Sequence, residues 1–236
     1  MVFFMKKLSN KFEKILLGFA SGVMIAASIW SLLIPAINMA EEQGKIVWIP
    51  AVIGFGLGII FLLITDIIVS NLNSKTFAGI KNKLDKNMML MFAVTIHNIP
   101  EGMAIGVVWA SILAGNTEIT VMSAFVLAIG IAIQNIPEGA IISMPLKSSG
   151  MSRKESLKYG IMSGIVEPIA AYITLFFTST IISILPYLLS FAAGAMIYVV
   201  VDELIPESQR DETPYLGTIG VSIGFLIMMV LDITLG

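Results

Sequence analysis

Thr95-Ile96-His97-Asn98-Ile99-Pro100-Glu101-Gly102 returns 37 residues later as Ala132-Ile133-Gln134-Asn135-Ile136-Pro137-Glu138-Gly139. Each copy lies inside a long apolar run, so amides, acids and a Pro interrupt stretches that otherwise read as helix buried in lipid. A Pro within a helix removes one backbone hydrogen bond and pushes away the carbonyl four residues earlier. Those carbonyls belong to Ile96 and Ile133, immediately before the polar residues. Two such interruptions are expected to open their helices where the polar side chains converge.

The self-similarity continues outward. Gly22-Val23-Met24-Ile25 followed by Leu33-Ile34-Pro35 resembles Gly194-Ala195-Met196-Ile197 followed by Leu204-Ile205-Pro206, and Gly54, Gly58 and Asp66 recur at identical spacings as Gly220, Gly224 and Asp232. Runs able to cross a hydrocarbon layer of about 30 Å, which takes roughly 20 helical residues, fall near 15–37, 49–70, 88–110, 119–145, 157–182, 186–205 and 214–236. With seven crossings, the first and sixth segments, the second and seventh, and the third and fourth run in opposite directions. Inverted repeats that meet at the membrane midplane are a transporter signature, because two near-equivalent halves can rock to expose one site to each side in turn. The fifth segment has no counterpart, since only fourteen residues precede the first; the pattern leaves either a lost ancestral helix or a late start.

Composition places the chain in the same class. Of 236 residues 57% are hydrophobic and 13% charged, against about 25% charge in a soluble domain, so much of the surface must meet lipid. Helices are the default for each run, because lipid offers no partner to backbone groups left unbonded within their own segment. An all-α integral membrane protein with one transmembrane domain over 1–236 is expected. Lys6, Lys7, Lys11 and Lys14 precede the first run as they would a signal peptide, but the run from Ile15 to Ile37 is too long and lacks a clear small-residue cleavage site. Orientation follows from the cations: with a cytoplasmic N-terminus those four, then Lys75, Lys81, Lys83 and Lys86, then Lys147, Arg153, Lys154 and Lys158, and finally Arg210 lie inside, and Lys45 alone outside. The expected layout is therefore a basic cytoplasmic N-terminus over 1–14, a Lys/Asn-rich cytoplasmic loop over 71–87 and a C-terminus outside. No Cys means no disulfide, thiolate nucleophile or Cys-based zinc site. No Lys/Arg block points to nucleic acid, and any imidazole chemistry rests on His97.

His97 and Glu101 are i and i+4, Asn98 and Glu101 i and i+3, and Gln134, Asn135 and Glu138 repeat the arrangement on shared helix faces. Glu167, near the middle of the fifth segment and followed by Pro168, which is expected to kink that helix as well, adds a third acid. An ionised carboxylate deep in a bilayer costs on the order of several kcal/mol, and no Lys or Arg accompanies these acids, which leaves protonation or a bound cation. One imidazole among many oxygens suits Zn²⁺, and the oxygens also admit Mn²⁺, Fe²⁺ or Cd²⁺. Three carboxylates exceed the need of one divalent ion, so a neighbouring second ion bridged by Glu101 and Glu138 is expected. Elsewhere the plain reading stands beside the functional one. Met24 reads as apolar filler, the small-xxx-small pairs Gly54/Gly58 and Gly220/Gly224 as helix packing, and Asp66, Asp202 and Glu203 as interfacial polar caps or a cytoplasmic exit path.

His97-Asn98-Ile99-Pro100-Glu101-Gly102, Gln134-Asn135-Ile136-Pro137-Glu138-Gly139 and Glu167-Pro168 resemble the metal-binding motifs of the fourth, fifth and sixth helices of the ZIP family of divalent metal transporters, closest to its bacterial GufA-like branch. The resemblance covers nearly the whole chain, including Gly22-Val23-Met24 and Asp202-Glu203-Leu204-Ile205-Pro206-Glu207-Ser208. It implies an eight-helix fold, here without its first helix, and a homodimer in the cell (inner) membrane that moves zinc or related ions toward the cytoplasm by an elevator-like shift. Met24, His97, Glu101, Gln134, Asn135 and Glu138 become ligands of one metal, and Asn98, Glu101, Asn135, Glu138 and Glu167 ligands of a second. Asp66, Asp202 and Glu203 fall along the exit route. Two departures stand out: Gln134 occupies a position that is His in many members, and the 71–87 loop lacks their His cluster, so a broadened metal preference and no cytosolic sensing loop are expected.

Two other classes compete. An intramembrane zinc-dependent hydrolase would normally need at least three firm protein ligands and an open water position, yet the chain has one His and no His-Glu-x-x-His. A proton-coupled small-solute carrier would use the same acids as titrating groups. No organic cofactor is expected, and no P-loop for nucleotide hydrolysis is present.

Overall fold

The computed structural model describes residues 10–77, 83–116, 119–148, 150–178, 182–210 and 213–235. Lys6, Lys7 and Lys81 of the charge argument lie outside the described residues, as do the side chains of Lys75, Lys83 and Lys86. All regular structure among the described residues is helical. The first segment joins helix Asn10–Ala27, a π-helical stretch Ser28–Leu33 and helix Ile34–Glu42. Helices Trp48–Phe77, Lys83–Leu113 and Val121–Ser148 form the second, third and fourth. The fifth is broken into Arg153–Gly164 and Val166–Thr178. A short turn Ile182–Ile184 opens the sixth, which continues as helix Leu185–Val199, a π-helical stretch Val200–Leu204 and Ile205–Ser208. Pro214–Leu235 is the seventh.

Six of these segments are long and apolar enough to cross a membrane. The other, Lys83–Leu113, has the length at 31 residues, but His97, Asn98 and Glu101 sit in its middle. The second and third helices reach to Phe77 and back to Lys83, further into the expected 71–87 loop than the apolar runs suggested. Hydropathy marks where lipid ends, whereas polar residues such as Asn71 to Lys75, free of Gly and Pro, carry a helix on past it.

Glycines show how the segments pair. A side chain on Gly22 would overlap the Val221 carbonyl, and one on Gly224 the Phe19 carbonyl, so the first and seventh segments touch backbone to backbone and run parallel. The second and sixth do the same through Gly58 against Phe191 and Gly194 against Phe55. These contacts are equivalent under the repeat: Phe19 lies 172 residues before Phe191, as Gly22 does before Gly194, and Phe55 lies 166 before Val221, as Gly58 does before Gly224. The first also packs on the fourth as the sixth packs on the third. The core draws on the first, sixth, third and fourth segments, with Leu17, Met24, Leu127, Leu189 and Met196 fully buried. Apolar rows on the second and seventh, such as Leu57, Ile60, Ile64 and Ile219, Ile223, Leu226, stay exposed as lipid-facing surface.

The π-helical stretches are part of the same symmetry. Pro35 and Pro206 follow them at the start of the next helix, and each displaces the carbonyl four residues back, that of Ser31 and that of Asp202. Widening the helix over one turn absorbs that displacement. The first stretch has six residues and the second five, which accounts for the change in repeat offset from 172 at Gly22 to 171 at Leu33.

Candidate metal site

Pro100 and Pro137 lie within continuous helices, so their motifs keep helical spacing and hold their polar groups on one face. His97, Asn98, Glu101, Gln134 and Glu138 are all buried, Glu101 to 1% exposure and Gln134 to zero. Gly102 lets the third segment meet the fifth directly, because a side chain there would overlap the backbone of Glu167. The fifth segment differs from expectation: Pro168 does not kink a continuous helix but lies in the first turn of Val166–Thr178, where a missing N–H costs little. That restart aims Glu167 at both motifs.

Glu167 joins the two copies. Asn98 Nδ2 donates to Glu167 Oε1 at 3.1 Å and to the Ser163 carbonyl at 3.3 Å, and Asn135 Nδ2 donates to Glu167 Oε2 at 2.6 Å. These acceptors fix which end of each amide is nitrogen, so the oxygens Asn98 Oδ1 and Asn135 Oδ1 are the ends left over. Both are buried without a partner, and so are Glu101 Oε2, Gln134 Oε1 and Glu138 Oε1. Five buried acceptors without a hydrogen-bond partner, spread over both motif copies and accompanied by the equally unpartnered Gln134 Nε2, are out of keeping with a packed interior, and oxygens of this kind are able to ligate a cation. Glu167→Gln keeps the shape but offers one acceptor for two amides. Metal affinity is expected to fall roughly 10- to 100-fold, as when the groups orienting a ligand are lost, with titration calorimetry as the check.

His97 is engaged on both edges. Its Nδ1 stands 3.0 Å from Glu203 Oε2 and its Nε2 3.2 Å from Asp66 Oδ1. Two of the three residues assigned to an exit path thus meet the midplane site itself, whereas Asp202 is exposed and makes no such contact with His97. Because the two acids face opposite ring edges, they cannot converge with the imidazole on one ion. Among the described residues no three His, Asp or Glu side chains form a ready ligand group. The oxygens of the amides, or release of one His97 contact, must complete any coordination shell. Met24 is fully buried in the core of the first segment.

Two cavities reach these residues. One of about 270 Å³ runs from Glu101, Glu138, Asn98 and His97 past Glu203 to Glu13, Glu207 and Arg210, toward the end of the molecule that carries Lys14 and Lys147. The other, about 360 Å³, opens between the fourth and fifth segments onto Asn98, Asn135 and Glu138, lined by Gly139, Gly160 and Ile161. Reasoning from motifs missed Glu13 and Arg210, whose spacing carries no signal. It also left Asp232 without a role, although the repeat pairs it with Asp66. Asp232 is buried, accepts a 2.6 Å hydrogen bond from Ser31 Oγ and keeps Oδ2 unpartnered. Ser31 corresponds to the Asp202–Glu203 turn, so the contact that His97 bridges between Asp66 and Glu203 is made directly at the opposite end of the repeat.

Comparison with known proteins finds similarity of sequence to zinc transporters. The profile of the family described as ZIP Zinc transporter matches residues 80–232. "Zinc transporter ZIP11" of Xenopus tropicalis is 36% identical over 93% of this chain and 87% of its own length. "Zinc transporter GufA" of Myxococcus xanthus is 33% identical over 98% and 90%, and "Zinc transporter ZupT" of Streptococcus mutans 31% over 98% and 89%.

Proposed function

The chain belongs to the ZIP zinc transporter family, and we propose that it carries divalent transition-metal ions, zinc foremost, across the cell (inner) membrane toward the cytoplasm. The observation that supports this most is the set of buried, unpartnered oxygens on Asn98, Glu101, Gln134, Asn135 and Glu138, of which those on Asn98, Glu101 and Glu138 stand at the head of a cavity. By the distribution of Lys and Arg the cavity opens to the cytoplasm, with the N-terminus inside and the C-terminus outside. Residues 1–236 act as one transmembrane transport domain, paired as a homodimer.

Met24, His97, Glu101, Gln134, Asn135 and Glu138 hold one ion, and Asn98, Glu101, Asn135, Glu138 and Glu167 a second, with Glu101 and Glu138 shared. One divalent ion leaves one of the three buried carboxylate charges of Glu101, Glu138 and Glu167 uncompensated, and a second ion takes up that charge. Entry of an ion to His97 requires the ring to release Asp66 or Glu203, so these acids receive the cargo next on its way past Glu203 to the cavity mouth. The third to fifth segments, joined through Glu167, move against the paired first, second, sixth and seventh, as inverted-repeat carriers do.

Uptake of radioactive Zn²⁺ into proteoliposomes tests the reading: time-dependent accumulation above protein-free vesicles is expected, and its absence at micromolar Zn²⁺ refutes it. Gln134 also sets the metal preference. Replacing its amide by imidazole in Gln134→His is expected to raise the ratio of Zn²⁺ to Mn²⁺ uptake in competition, since imidazole favours zinc while oxygen ligands suit manganese.

A further inference from the structure

The cavity below the midplane site is lined by five carboxylates, those of Glu13, Glu101, Glu138, Glu203 and Glu207, and among its described lining residues Arg210 is the sole Lys or Arg. Glu101 and Glu138 lie in mid-helix at its inner end. Glu13 comes from the start of the first segment, while Glu207 and Arg210 close the sixth, so these three stand at its mouth. Arg210 Nη1 donates to Glu207 Oε2 at 3.1 Å and to Oε1 at 3.3 Å. The pair is largely solvent-exposed, with the Arg side chain at 71% and the Glu at 45%, and an exposed pair adds little to holding a fold together.

Its placement matters for an ion in transit. A pathway conducts only if its sites are weak enough to leave, and a run of five acids ending in water would offer a departing divalent ion one more stop at the mouth. A guanidinium is always charged. Held on Glu207, it occupies that carboxylate and repels a dication approaching it.

Resting on the transport reading above, we propose that Arg210 is a positioning residue for cargo release: by engaging Glu207 it keeps the cavity mouth from retaining the metal, so turnover is not limited by exit. The substrate ion is not touched by Arg210; the residue acts through Glu207.

The test is Zn²⁺ uptake kinetics in proteoliposomes for wild type, Arg210→Gln, Arg210→Lys, Glu207→Gln and the Arg210→Gln/Glu207→Gln double variant. Slower release after unchanged entry lowers Vmax and KM together and leaves Vmax/KM as it was. Arg210→Gln is expected to lower both roughly fivefold, the size of a unit charge acting on a dication about 8 Å away in water-like surroundings. Arg210→Lys should restore both by keeping the charge, and the double variant should restore them by removing the retaining carboxylate. Glu207→Gln alone should not lower KM. A merely structural role would instead lower Vmax/KM, or leave Arg210→Lys as impaired as Arg210→Gln, and either result overturns the proposal. If Arg210→Gln cannot be purified, a lowered KM in Glu207→Gln overturns it and an unchanged or raised KM supports it. Absence of wild-type flux defeats the transport reading itself; wild-type flux with an unaltered KM in Arg210→Gln defeats only the role of Arg210.

Discussion

Replacing His97 and Glu138 together by Ala should lower Zn²⁺ uptake into proteoliposomes by roughly 100-fold or more, the upper end of what loss of ligand-orienting groups alone can cost. His97 is the one imidazole of the chain, and Glu138 is one of the two acids shared by both proposed ions. The Glu138→Ala half of this change should not weaken the metal-free fold in proportion. Glu138 is buried with Oε1 unpartnered, and removing a poorly satisfied acid from an apolar interior is often neutral or stabilising. Thermal unfolding without metal should therefore leave Glu138→Ala near the wild-type temperature, while the double variant also loses the His97 contacts to Asp66 and Glu203 and unfolds lower. Uptake within a few-fold of wild type would remove both residues from the site.

The second large effect is on stability. Gly22→Val and Gly194→Val each place a branched side chain where a neighbouring backbone already stands, Val221 and Phe225 in one case and Phe55 in the other. Overpacking of a core typically costs about 1–3 kcal/mol, and here the obstacle is main chain, which cannot step aside as a side chain does. Both variants should accumulate poorly in the membrane and unfold at lower temperature. Because the contacts are equivalent under the repeat, the two losses should be similar. Gly56→Val is the control on the same family of helices: no atom lies within 4 Å of its added Cβ, so it should behave as wild type. A tolerated Gly22→Val beside a damaging Gly194→Val would contradict the symmetry of the packing.

Much of this architecture could be read from the chain because lipid imposes simple rules. Apolar length marks the spans, and a repeated motif with a Pro and an acid marks the middle. The small-xxx-small pairs Gly54/Gly58 and Gly220/Gly224 marked packing positions, but not that the second segment meets the sixth and the seventh the first. Other features needed three dimensions. The one-residue slip between Gly22/Gly194 and Leu33/Leu204 is present in the sequence, but only the helical path shows that it is absorbed in π-helical turns of unequal length. The contacts of His97 with Asp66 and Glu203 join three segments distant in sequence, and helical periodicity within one segment says nothing about them. Pro168 looked like Pro100 and Pro137, yet the preceding Gly164 ends one helix and Pro168 falls in the first turn of the next. Arg210 and Glu13 lie outside every motif and became visible only as walls of a common cavity.

The proposed binuclear site is tested most directly by anomalous scattering at the zinc edge from crystals grown with Zn²⁺. Two peaks are predicted between the third and fourth segments, both within reach of Glu101 and Glu138, one toward His97 and Gln134 and the other toward Asn98, Asn135 and Glu167. Saturating zinc that leaves this region without a peak, or that appears only beside Glu13 and Glu207 at the cavity mouth, would contradict the account.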